Sequence, residues 1–141
     1  MQITRQADYA MRAVMYLAQL GPDRKAATSQ IAQEQQIPPS FLAKIVSQLS
    51  VAGLLQTSRG ARGGVSLARP PEEISFLEVV EAIDGPILIN ECVIDSGSCT
   101  FGETCALRPV FCEAQADLVK RLENTTFGGV IKSNGRPGSA R

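Results

Sequence analysis

The chain has no histidine and no tryptophan, and aromatic residues make up only 5% of its 141 positions. Without imidazole, any metal site must be built from thiolates, carboxylates or backbone groups. No nucleophile–base pair is evident either, so the sequence does not point to an enzyme. Long apolar runs are also missing: no stretch is long and apolar enough to span a bilayer. The first twenty residues carry Asp8 and Arg12 where a signal peptide needs an uninterrupted apolar run. The chain is therefore read as cytoplasmic, with no membrane partner and no small-molecule substrate. Cysteine is scarce but concentrated, all four lying between Cys92 and Cys112. In a reducing compartment such thiols are ligands or redox groups rather than structural disulfides.

A net charge of zero would argue against a nucleic-acid partner, but the average hides an asymmetry. Residues 1–70 carry eight Lys/Arg against three Asp/Glu, and the remainder carries six against eleven. A basic half joined to an acidic half suggests a DNA-facing module with an appended segment of different purpose.

Hydrophobic periodicity locates the elements. Ala7, Ala10, Met11, Val14, Leu17 and Ala18 recur at i, i+3, i+4, i+7 and predict a helix from about Thr4, its N-cap, to Leu20, stopped by Gly21-Pro22. Thr28 is expected to cap a short helix reaching about Gln35. After the connection Gln36-Ile37-Pro38, Pro39 opens a second helix with Leu42, Ile45, Val46 and Leu49 on one face and Gly53 at its end. This is a helix-turn-helix arrangement. Leu54–Thr57 and Val65–Leu67 read as strands flanking SRGARGG, a glycine-rich tip with two arginines, which completes a winged helix.

Further on, Ser75 is expected to cap a helix from Phe76 to Ile83, ended by Asp84-Gly85-Pro86. An aperiodic loop follows over Asn90–Thr104. A last helix begins near Pro109 with Phe111, Ala114, Leu118 and Leu122 along one stripe. The expected fold class is mainly α with a small β-hairpin: a winged helix-turn-helix over 1–85, a cysteine-rich cluster-binding loop over 86–107, and a dimerisation helix over 108–127. Residues 128–141 are read as a frayed, flexible tail. The last helix's stripe suits a homodimer, and a dimer implies double-stranded DNA with a pseudo-palindromic operator.

Ser40, Lys44 and Ser47 lie opposite the buried stripe of the second helix, where short polar and cationic side chains reach base edges and phosphates. Thr28, Arg59 and Arg62 complete the candidate DNA-binding set. The cysteines are spaced Cys92-x6-Cys99-x5-Cys105-x6-Cys112. That spacing matches neither paired zinc motifs nor ferredoxin runs. Thiolates on a glycine-containing loop suit an iron–sulfur cluster, yet metal-free reactive thiols would look much the same.

The stretches MQITRQADYAMRAVMYLA, IPPSFLAKIVSQLSVAGL, RGARGGVSL and ISFLEVVEAIDGP, followed by three spaced cysteines, resemble the Rrf-two family of bacterial transcription regulators over about residues 1–127. The family includes iron–sulfur-binding IscR-type and NsrR-type branches. The resemblance implies that Cys92, Cys99 and Cys105 hold a cluster, that Ser40 and Lys44 face DNA, and that Arg59 enters the minor groove. Arg108 stands where the IscR branch has a ligand histidine, Ala43 replaces an acidic residue, and the first cysteine gap is one residue longer. In the NsrR branch an acidic residue of the partner's first helix is the fourth ligand, and Asp8 occupies that place. Asp8 from a partner subunit would favour a four-iron over a two-iron cluster. Cys112 is the rival ligand, and Asp8 also suits a helix N-terminus with Arg12 at i+4. The implied function is sensing of iron–sulfur status, nitric oxide or redox stress by a repressor-type regulator, with a metal-free thiol switch as the alternative.

Overall fold

The computed structural model describes residues 2–93, 97 and 100–134. Helix α1 (Arg5–Leu20) begins where Thr4 accepts a hydrogen bond on its hydroxyl from the Ala7 N–H at 3.1 Å. It buries Ala7, Ala10, Ala13, Val14, Leu17 and Ala18. Helices α2 (Thr28–Gln35) and α3 (Pro39–Val51) are joined by a turn in which Gln36 is left-handed, φ +54°, and Ile37 is buried. The buried stripe of α3 is Leu42, Ile45, Val46 and Leu49. Thr28 is not a cap as expected. It is the first helical residue of α2, and Ala27 precedes it with no side-chain hydrogen bond to the helix end.

Strands β1 (Leu55–Ser58) and β2 (Gly64–Leu67) pair antiparallel, with Leu55 opposite Leu67 and Ser58 opposite Gly64. Ala26 forms a bridge on the far side of β2, exchanging hydrogen bonds of 3.0 and 2.8 Å with Val65. This approach explains Gly64, whose φ is +154° and where an added Cβ would meet the Ala26 carbonyl oxygen at 2.9 Å.

Helix α4 (Phe76–Asp84) opens with a capping box: the Ser75 hydroxyl accepts from the Glu78 N–H, and the Glu78 carboxylate accepts from the Ser75 N–H. Helix α5 (Arg108–Glu123) has no fully buried residue. Its partly covered Leu118, Val119 and Leu122 pack on Leu77, Val80 and Ile87.

The reading of a frayed tail from Gly128 is corrected for residues 128–134, which form α6 (Phe127–Asn134). Phe127 is fully buried, its ring 4.7 Å from that of Phe76. Its N–H donates to the Ile74 carbonyl at 3.1 Å, and the Phe76 N–H donates to the Thr125 carbonyl at 2.8 Å. Gly128, where the tail was expected to begin, is a close approach: a Cβ there would meet Glu72 at 2.7 Å. Glycine pairs break helices in isolation, but tertiary packing overrides that preference. Residues 135–141 of the predicted tail lie outside the described residues.

Because Phe127 fills the core between α1, α4 and α6, Phe127→Ala should lower the unfolding free energy by about 3–5 kcal/mol. Urea denaturation checks this. A loss below about 1 kcal/mol would mean that α6 merely rests on the surface.

Candidate DNA-binding face and cysteine loop

Helix α3 stands on its buried stripe, so the residues opposite face outward. Ser40, Ala43, Lys44 and Ser47 are all exposed. Thr28 and Ser29 are exposed at the start of α2 and, with Pro39 and Ala43, line a shallow groove between the two helices. The wing tip is closed by a Gly63 N–H to Gly60 carbonyl hydrogen bond of 2.9 Å, with Gly60 at φ +96°. At Gly63 a Cβ would overlap the Ser58 carbonyl at 2.3 Å, so the tight tip requires glycine. Arg59 and Arg62 are exposed on this tip. The structure thus places all six sequence-predicted residues in solvent on α2, α3 and the wing.

It adds one that sequence reasoning missed. Lys25, next to the Ala26 bridge, donates from Nζ to the Ser58 hydroxyl at 3.2 Å and puts a cation at the base of the wing. A one-residue bridge has no periodicity, so no pattern in the sequence announces it.

Asp8 lies in the first turn of α1 with its side chain 62% exposed and 3.4 Å from Arg12 Nε. Arg12 also donates to the Gln35 carbonyl at 2.8 Å and lies over the Tyr9 ring at 5.0 Å. The ordinary explanation for Asp8, an i,i+4 pair near a helix start, is therefore present in the structure. Thr4, one turn earlier, donates from its hydroxyl to Asp84 at 2.6 Å and from its N–H to the same carboxylate at 3.3 Å. The start of α1 is thereby tied to the end of α4, where the cysteine loop departs.

The first limb of that loop is fastened to α5. The Gln115 carboxamide oxygen accepts from the Ile89 N–H at 2.7 Å, and its NH2 donates to the Ile87 carbonyl. Arg108 Nε donates to the Cys92 carbonyl at 2.7 Å. The residue in the place of the IscR-type histidine thus holds the backbone of a candidate ligand and offers no lone pair of its own. Cys92, Cys105 and Cys112 are half-buried free thiols. Cys99 lies outside the described residues. Among the described residues, no three Cys, Asp or Glu side chains gather as a ready metal site.

The sequence profile of Rrf2, described as an iron-dependent transcriptional regulator, matches residues 3–133. The chain belongs to this family. It is a DNA-binding transcription regulator and not an enzyme. It is 33% identical over 132 residues to the HTH-type transcriptional regulator NsrR of Shouchella clausii, covering 93% of this chain and 89% of that one.

Among solved structures, the global cysteine regulator CymR of B. subtilis superposes on this regulator with a TM-score of 0.81. The identity is 25%, over 94% of this chain and 98% of that one. The oxidised form of CymR from Staphylococcus aureus gives 0.74 at 25% identity, over 92% and 95%. IscR of T. potens shares the fold, with a TM-score of 0.75 at 21% identity over 94% and 88%. The mainly helical winged-helix fold expected from the sequence is that of this family. No helix among the described residues of the regulator is long and apolar enough to cross a membrane.

Proposed function

We propose that the regulator binds a pseudo-palindromic site on double-stranded DNA as a homodimer, and that an iron–sulfur cluster on its cysteine loop sets the affinity. The observation that carries this reading is the juxtaposition of an exposed polar stripe on α3 with a two-arginine wing, in a chain whose cysteine loop is anchored to α4 and α5. Ser40, Lys44 and Ser47 meet the major groove, Thr28 meets a flanking phosphate, and Arg59 and Arg62 meet the backbone or minor groove beside it. Helix α5 supports the dimer. Leu118 and Leu122 of its stripe pack on α4 within the subunit, but no side chain of the helix is fully buried there, and Leu107 and Val110 at its start are each 63% exposed.

The donor set suits the cluster. Cys92 and Cys105 are free thiols sheltered from full solvent exposure, no histidine competes, and soft thiolates are what such clusters take. Cys92, Cys99 and Cys105 would hold it, with Asp8 of a partner subunit as the fourth ligand and Cys112 as its rival. An Asp8 ligand favours four irons over two. When bound, the cluster supplies a centre that reacts with nitric oxide and oxidants.

The chain's own residues do the coupling. Gln115 and Arg108 fix the loop's first limb on α5, and Asp84 fixes the α1 start through Thr4. The position of Cys92 and the first turn of α1 are thus referred to one frame. A change at the loop can then shift the population of dimers whose recognition helices match the DNA spacing. A second reading, a metal-free thiol switch, draws support from the similarity to CymR, which has been solved in an oxidised form.

Protein purified without oxygen should be brown and contain acid-labile sulfide, and Cys99→Ala should be colourless. Asp8→Ala should alter the spectrum more than Cys112→Ser does. A colourless, iron-free wild type that cannot be reconstituted would leave the thiol switch as the reading. On DNA, Arg62→Ala and Lys44→Ala should each lower the slope of log affinity against log salt by about one. Slopes equal to wild type would remove those residues from the interface.

A further inference from the structure

The inward face of α5 has two coverings. Its C-terminal half packs on α4 through Leu118, Val119 and Leu122, while its N-terminal half is covered by residues 87–93. Arg108 and Gln115 are seven residues apart, two helical turns, and span about 10 Å of axis. The segment they hold, Ile89 to Cys92, can reach at most about 10 Å. It is bound to Gln115 at Ile89 and to Arg108 at Cys92. The order of the anchor points is therefore opposite to that of α5, with Ile89 at Gln115 and Cys92 towards the helix N-terminus at the end of the Arg108 side chain.

Cys112 stands between the two anchors on the same face, four residues after Arg108 and three before Gln115, and is half-buried. The turn Glu91–Val93, which carries Cys92, packs on this helix. Asn90 shapes that turn: its side-chain oxygen accepts from the Glu91 N–H at 2.9 Å and its carbonyl from the Val93 N–H at 3.1 Å.

We propose that Cys92 and Cys112 form a redox-active dithiol, which a peroxide closes to an intrasubunit disulfide when the cluster is absent. One thiolate attacks the peroxide, breaking its O–O bond, and becomes a sulfenic acid with release of water. The second thiol displaces the sulfenic oxygen as a second water. The two sulfurs together lose two electrons and two protons, and hydrogen peroxide is reduced to two waters. Arg108 and Gln115 are the positioning residues, since their hydrogen bonds to the 87–92 backbone hold the Cys92 turn on the α5 face that carries Cys112. Cys92 cannot serve cluster and disulfide at once, so the dithiol is a response open to the cluster-free protein. This inference rests on the proposed function only through that exclusion.

The test uses the full chain, stripped of metal by chelation, reduced and desalted, then treated with one equivalent of hydrogen peroxide. Remaining thiols are alkylated and the peptides mapped by mass spectrometry. The expected product joins Cys92 to Cys112, two hydrogens lighter than the dithiol, and is absent from Cys112→Ser. It should form about tenfold more slowly in Gln115→Leu, where the limb is released from α5. Cys92 linked instead to Cys99, to Cys105 or to another subunit would overturn the proposal, as would a Cys112 that remains fully alkylated. Since the protein carries no cluster in this experiment, such a failure leaves the cluster reading standing.

Discussion

The structure depends on one closure. The backbone at Ile74–Phe76 and that at Thr125–Phe127 exchange hydrogen bonds, and Ser75 and Thr126 form a bridge between them. Chain that leaves the core at α4 returns at the place where α4 began. The cysteine loop and α5 are therefore a strap pinned at both ends to the helix-turn-helix core, not a free appendage. Phe127 is the pin: it is buried against Phe76 and belongs to the same core cluster as Val14, Ile31, Leu42 and Leu49. A displacement of α5 must be accommodated either at this pin or at the loop.

The other attachments lie at the opposite end of the strap. Asp84, the last residue of α4, holds Thr4, and Thr4 caps the helix that carries Asp8. Gln115 and Arg108 hold the departing limb to α5. Backbone carbonyls and N–H groups are the partners on the limb, so its attachment does not depend on which side chains follow. The thiols can then vary in state while their scaffold stays in place. Such an arrangement suits a sensor, in which ligand chemistry and mechanical support must be separable.

Much of this was legible in the sequence because it rested on periodic signals. The i, i+3, i+4, i+7 stripes of α1 and α3, the Ser75 cap and the glycines around Arg59 and Arg62 each follow from local chemistry. What was missed rests on long-range contacts. Ala26 against Val65 is a single bridge, and Gly128 is required by Glu72, far away in sequence. Thr28 was read as a cap from its residue type, whereas the chain ahead of it is fixed by that same bridge and the helix starts without a side-chain cap. Arg108 and Gln115 bind backbone, so their roles left no pattern to read. The clustered thiols suited an iron–sulfur cluster without fixing its ligands, because their spacing matches no standard motif and a glycine-containing loop permits many ways of converging.

In the proposed function the state of the cysteine loop sets DNA affinity. The most direct test is one preparation of protein, measured anaerobically on a DNA fragment selected by that protein, before and after removal of the cluster and with thiols kept reduced. Affinity should change about tenfold or more, a coupling of roughly 1.4 kcal/mol or above. Equal affinity in the two states, with the cluster verified before and absent after, would contradict it.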